Sequence, residues 1–176
     1  DYVKEISQHF GFVNVGVVNY EADDVIGSLA QTYSQQNEVF IITGDRDILQ
    51  CINTNVEVWL TKKGFNIYNR YTLDRFKEEY GIEPKQLIDV KALMGDSADG
   101  YPGVRGIGEK TAIKLIQNHQ SVENVIENIS TLTSLQQKKI NNNIHNLHLS
   151  KSLAEIYTRV PIETEQLFKD MEYAHT

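Results

Sequence analysis

The sequence predicts an α/β fold, a mostly parallel sheet with flanking helices, followed by an all-helical region. Three observations predict it. Strand-like and helix-like apolar patterns alternate from residue 12 to about residue 95, and such alternation builds parallel sheets with helices on their faces. Val39-Phe40-Ile41-Ile42-Thr43 is an unbroken apolar run, as expected of a strand buried on both faces. From Ile107 onward the strand signal ends and only helical stripes remain.

The elements follow in order. Val13, Val15 and Val17 alternate within Phe12–Val18 and predict a first strand. Ala22, Val25, Ile26, Leu29, Ala30 and Tyr33 recur at helical spacing, one apolar stripe on a helix over 21–36. Residues 39–43 form the next strand, which Gly44 ends, and Ile48, Leu49 and Ile52 mark a short helix. Val56, Val58 and Leu60 alternate, Lys62-Lys63-Gly64 turns the chain, and Phe65, Ile67 and Tyr68 return as a β-hairpin. Thr72 caps a helix bearing Leu73, Phe76 and Tyr80, and Gly81 stops it. Pro84 opens another through Met94. Later stripes are Ala112/Leu115/Ile116, Val122/Val125/Ile126/Ile129, Ile140/Ile144/Leu147 and Leu153/Ile156.

The chain has 176 residues, 40% hydrophobic and 23% charged, with a formal charge of −7. That composition excludes a disordered or low-complexity chain. No apolar run approaches the roughly 18 residues that cross a bilayer, and no basic, apolar leader opens the sequence. The lone Cys51 excludes an internal disulfide framework and a Cys-built zinc site. The expectation is a cytoplasmic protein with no membrane partner. An acidic balance argues at first against nucleic acid, but the acid is concentrated in short clusters.

Those clusters are Glu21-Ala22-Asp23-Asp24 after a strand, Gly44-Asp45-Arg46-Asp47 after the next, and Gly95-Asp96-Ser97-Ala98-Asp99 at a helix end. In a parallel sheet the carboxyl ends of strands share one edge, and sites form there. Glu21, Asp23, Asp24, Asp45, Asp47, Asp96 and Asp99 together equal the whole formal excess, so the remaining surface is formally neutral. Two like charges about 4 Å apart cost about 4 kcal/mol at an effective dielectric of about 20. Converging carboxylates therefore need compensation, and an all-oxygen set selects hard ions such as Mg²⁺, Mn²⁺ or Ca²⁺. Each cluster also has a plain reading. The first complements a helix dipole, the second caps a helix, and the third is a turn. The metal reading rests on their joint placement.

Pro102-Gly103-Val104-Arg105-Gly106-Ile107-Gly108-Glu109-Lys110-Thr111 joins two helical stretches. Glycines keep Cβ atoms away from an approaching ligand. Free N–H groups before a helix make an anion seat, with Arg105, Lys110 and Lys114 nearby. Such a seat holds a nucleic-acid phosphate without reading sequence. A plain helix–helix turn is the alternative. His145 and His148, at i and i+3, read as solvated surface residues; Trp59 reads as structural and Cys51 as buried and inert.

Three motifs carry a resemblance: YEADDVIGSLA (20–30), VFIITGDRDILQCI (39–52) and ALMGDSADGYPGVRGIGEKTAIKLI (92–116). They resemble the 5′ nuclease family, which includes flap endonucleases and the 5′–3′ exonuclease domain of bacterial DNA polymerase I. The likeness continues weakly through 148–162 and looks most like a small stand-alone bacterial member. It implies a PIN-like nuclease core, whose C-terminal part is residues 1–95. Residues 96–176 would be a helix–three-turn–helix DNA-binding region and C-terminal helices. It implies two Mg²⁺ or Mn²⁺ ions. Glu21, Asp23 and Asp24 match one ligand group, and Asp45, Asp47, Asp96 and Asp99 the other. The hairpin at Gly103–Gly108, with Lys110 and Thr111, would grip duplex DNA. Carbonyls within Val104–Ile107 would hold K⁺.

The implied activity is structure-specific 5′ nuclease action in replication and repair, on branched or 5′-ended duplex DNA and on RNA–DNA junctions, by a monomer. Two departures stand out. The family pattern after G-D-S-x-D is Asn and an apolar residue before Pro; here it is Gly100-Tyr101. The family's first strand, with its metal-binding Asp, and its basic helical arch do not precede Asp1. The expectation is an active parent protein, a fragment that cleaves poorly alone, and an N-terminal piece as partner. The competing readings are a duplex-binding module whose acids are structural and, last, an Asp-nucleophile phosphatase, which leaves the hairpin unexplained.

Overall fold

The computed structural model describes residues 2–62 and 67–171. The helices are α1 (Tyr2–His9), α2 (Ala22–Tyr33), α3 (Leu73–Tyr80), α4 (Leu87–Met94), α5 (Glu109–His119), α6 (Val122–Glu127), α7 (Ser134–Asn141), α8 (Ile144–Ala154) and α9 (Thr164–Met171). The strands are β1 (Val39–Thr43), β2 (Val56–Thr61) and β3 (Tyr68–Tyr71).

The sheet runs β1-β2-β3. β1 and β2 are parallel, with Ile41 opposite Val58. β2 and β3 are antiparallel, with Trp59 opposite Arg70. The expected hairpin is therefore present, although Lys63, Gly64 and Phe65 of its turn lie outside the described residues. Thr72 caps α3 by accepting the Arg75 N–H at 3.2 Å, and Gly81 ends it in the left-handed region at φ +64°.

One core joins both halves. Ile48, Leu49, Val56, Val58 and Phe76 from the sheet side pack in the same cluster as Leu93, Ile116, Val122, Ile140 and Leu147 from the helices. Gln50 extends the seam from inside. Its side chain donates to the Ala154 carbonyl (2.9 Å) and accepts the Ile156 N–H (3.0 Å).

Three expectations are corrected. Residues 12–17 carry no regular secondary structure, and Val18 begins a turn. Asn14 is drawn to α1, where its amide donates to Ser7 Oγ (2.9 Å) and the Lys4 carbonyl (3.3 Å). Val13–Gly16 share a cavity wall with α9 residues Gln166 and Leu167, away from the sheet. β1 is buried on one face only: Ile41 is covered, whereas Phe40 and Ile42 are 51% and 67% exposed. The outer face carries an aromatic ladder instead, Phe40 against Trp59 and Trp59 stacked on Tyr68 at 4.7 Å. The stripe Ile140/Ile144/Leu147 belongs to two helices, because the chain breaks at Asn142-Asn143. Ile156 likewise lies beyond the end of α8.

Candidate metal centre

The end of β1 places Asp45 and Asp47 at the sheet edge, the start of α2 brings Glu21, Asp23 and Asp24 to the same cavity without a preceding strand, and the turn after α4 brings Asp99. Glu21, Asp23, Asp24, Asp45, Asp47 and Asp99 line one cavity of about 360 Å³, together with Tyr101 and the 153–156 segment. Glu155 in that segment is a seventh carboxylate at the wall. Asp96 faces the adjoining cavity beside Lys91. Carboxylate oxygens of Asp47, Asp96 and Asp99 all lie within 4.8 Å of one another. One cation can therefore reach all three, so the donor set fits a hard divalent ion.

Electrostatics agree with the crowding. Burial raises the Asp23 carboxyl above the ordinary carboxylate value, and Asp45, Asp47, Glu21 and Asp24 add to the rise. Burial also raises Asp47, with Asp45 and Asp99 contributing against Lys91. Lys91 is the residue sequence reasoning missed. Its ammonium contacts Asp47 Oδ1 at 2.5 Å and Asp96 Oδ2 at 2.7 Å, with only 13% of its side chain exposed. The hydrogen bond from Lys91 holds Asp96 below its usual range. Burial works against the Lys91 charge, yet its bonds to Asp47 and Asp96 raise its pKa overall. Part of the compensation assigned to ions is thus internal. The signal was a single lysine in the otherwise apolar Val90-Lys91-Ala92-Leu93-Met94, five residues before Asp96.

The plain roles are real too. Asp24 accepts the Glu21 N–H (3.3 Å) at the start of α2 and the Tyr157 N–H (2.9 Å) from across the cavity. Asp45 Oδ1 accepts the Asp47 N–H at 2.8 Å, and Asp96 Oδ1 accepts the Ala98 N–H at 2.9 Å. These bonds fix the side chains and leave other carboxylate lone pairs for a cation.

The hairpin is stitched to the acidic turn. Asp96 and Tyr101 exchange N–H···O bonds at 3.0 Å, the Val104 N–H donates to the Leu93 carbonyl (2.8 Å), and the Gly103 N–H donates to buried Ser150 Oγ (2.9 Å). Gly95 and Gly103, both at positive φ, touch backbone to backbone. Three residues of the expected grip turn inward. Val104 and Ile107 are 1% and 3% exposed and belong to the core, and Gly103 is buried. Their side chains cannot meet a ligand. Arg105, Gly106, Gly108 and Lys110 are exposed, and Thr111 is half-buried. Arg46, between two of the acids, reaches outward to the Tyr80 hydroxyl (2.6 Å) and towards Glu109 at the head of α5 (3.7 Å).

Comparison with known proteins gives a consistent result. Residues 1–81 match the model of the 5′-3′ exonuclease N-terminal resolvase-like domain, and residues 82–175 that of the 5′-3′ exonuclease C-terminal SAM fold. A 5′-3′ exonuclease of Bacillus subtilis is 48% identical over 92% of this chain and 55% of its own length. DNA polymerase I of Lactococcus lactis subsp. cremoris is 41% identical over 92% of the chain and 19% of its own length. The chain thus spans about half of the first relative and a fifth of the second. The fold is that of T5 D15 protein co-crystallized with metal ions, at TM-score 0.78 and 21% identity, covering 96% of this chain and 66% of that one. The catalytic core of Rad2 in complex with DNA substrate superposes at TM-score 0.60 and 18% identity, covering 92% and 54%. Among the described residues, no helix is long and apolar enough to cross a membrane. With family models matched along nearly its whole length, the chain belongs to the 5′-3′ exonuclease family.

Proposed function

We propose that this chain carries the acidic centre and the duplex grip of a metal-dependent 5′–3′ exonuclease or flap endonuclease acting on DNA. The observation that carries it is the meeting of three sequence-distant acidic clusters in one cavity, joined to a glycine hairpin by backbone contact. The metal-bound T5 proteins and the DNA-bound Rad2 core support the reading. Bound Mg²⁺ or Mn²⁺ would activate water and stabilise the leaving oxygen. Asp45, Asp47, Asp96 and Asp99 would hold one ion; Glu21, Asp23 and Asp24 would serve the other. Arg105, Lys110 and the exposed N–H groups at the start of α5 would seat a phosphate of branched or 5′-ended duplex DNA or an RNA–DNA junction.

For K⁺, the carbonyls near Val104 and Ile107 are the proposed ligands. The Lys139 ammonium donates to the Gly106 carbonyl at 2.8 Å, so K⁺ would use the other carbonyls of the hairpin. The chain acts as a monomer in the cytoplasm in this reading.

Melting with and without ions tests the metal half. At an ion concentration about 100 times Kd, linkage adds about 2.7 kcal/mol, which raises Tm by about 5–10 °C over chelator. No shift in Mg²⁺ or Mn²⁺ overturns the assignment. The DNA half is tested by salt dependence. Arg105→Ala and Lys110→Ala each weaken duplex binding uniformly across sequences and lower the slope of log K against log salt by about 1. Unchanged slopes would place the phosphates elsewhere.

A further inference from the structure

Tyr101 closes the turn that carries Asp96 and Asp99, and its hydroxyl is buried. The residue is 4% exposed. Among the described residues, its phenolic oxygen is buried without a hydrogen-bond partner. A buried hydroxyl without a partner is rare and costly, and it calls for an explanation. Its surroundings supply one. Tyr101 lines the acidic cavity with Asp47 and Asp99, and its backbone is locked to Asp96 by two mutual hydrogen bonds of 3.0 Å. Tyr101 thus shares the cavity with two of the three carboxylates whose oxygens come within 4.8 Å of one another, and is bonded through its backbone to the third. An isosteric apolar residue would fill the same space without the cost.

We propose that the Tyr101 hydroxyl is an outer-shell donor of the metal centre, giving its hydrogen bond to the Asp47–Asp96–Asp99 carboxylate group when a divalent cation draws those oxygens together. The proposal rests on the metal reading above. The chemistry is a neutral donor fixing an anionic ligand, the arrangement by which outer-shell partners orient ligands and raise affinity for the ion. Lys91 already engages Asp47 and Asp96. A second donor lets one of those carboxylates turn towards the ion without losing all fixed hydrogen bonding. Tyr101 is thus a positioning residue that acts through the ligands.

The decisive variant is Tyr101→Phe, which keeps the ring and removes only the oxygen. Mn²⁺ affinity is measured by calorimetry, and Tm is measured in chelator. The expected result is a Kd about tenfold weaker, with Tm in chelator unchanged or a few degrees higher, because an unsatisfied group has been removed. An equal Kd in the variant overturns the proposal. A lower Tm in chelator also overturns it, since the hydroxyl would then have a partner before the ion arrives. Asp99→Asn serves as reference and loses Mn²⁺ binding altogether. If the unsubstituted chain binds no Mn²⁺, the metal reading itself fails. That outcome differs from the case in which the unsubstituted chain binds and Tyr101→Phe binds equally well.

Discussion

On the proposed function, replacing Asp45 and Asp47 together by asparagine in the complete protein lowers phosphodiester cleavage by at least about 10³-fold and leaves duplex binding intact. The magnitude follows from the several kcal/mol of charge stabilisation that metal ions supply in phosphoryl chemistry. Both residues line the acidic cavity, and Asp47 also belongs to the three-carboxylate group. Asparagine keeps the shape and the acceptor for the Asp47 N–H bond, so the fold survives. The ion pair from Lys91 to Asp47 is weakened, but repulsion from Asp45 and Asp99, which acts on Asp47 in the native site, falls as well. Cleavage of a 5′-flap duplex and binding of the same duplex in chelator separate the two readings. An enzyme loses the first and keeps the second. Surviving cleavage would mean that the acids are structural.

A second large effect concerns stability. Gly103→Ala destabilises the protein by about 4 kcal/mol or more, the range reached when strain and overlap combine, and lowers Tm by about 8–16 °C. A Cβ on Gly103 would sit 2.2 Å from the Gly95 nitrogen and 2.6 Å from its Cα, and φ there is +56°. The obstacle is backbone, which cannot rotate away as a side chain can. The converse substitution, Gly95→Ala, meets the Pro102 carbonyl at 2.7 Å at φ +71° and behaves alike. Gly100→Ala provides the comparison: its Cβ has open space, so only the positive φ of +79° costs, about 1–2 kcal/mol. Thermal melts of the three variants check the ranking. Equal losses at Gly100 and Gly103 would show that close approach is not what the glycine at 103 provides.

Much of this was legible in the sequence, for physical reasons that differ by element. Thr72 and Gly81 bound α3 through local chemistry alone, a hydroxyl acceptor and a left-handed residue, and the structure places both as read. The second acidic cluster was legible because it follows β1 at the sheet edge; the strand expected before the first is absent, yet both clusters line the same cavity. The residues missed depend on partners distant in sequence. Valines at 13, 15 and 17 have strand character, but a strand also needs a neighbour, and Asn14 is bonded to α1. Val104 and Ile107 look like part of an exposed glycine loop until the hairpin folds onto the end of α4 and buries them. The wall at 153–156 reaches the cavity because Gln50 holds its backbone from the other side of the core. Lys91 was hidden in plain composition, since an apolar helix with one lysine normally places it in water.

The position of that lysine has a consequence for how the protein matures. Small zinc modules stay unfolded until their metal arrives, because nothing else holds their ligands together. Here a covalently attached ammonium, in contact with Asp47 and Asp96, supplies a resident positive charge from the moment of synthesis. On the proposed metal reading, that charge lets the site form without an ion, so scarcity of Mg²⁺ or Mn²⁺ would leave an idle but folded molecule.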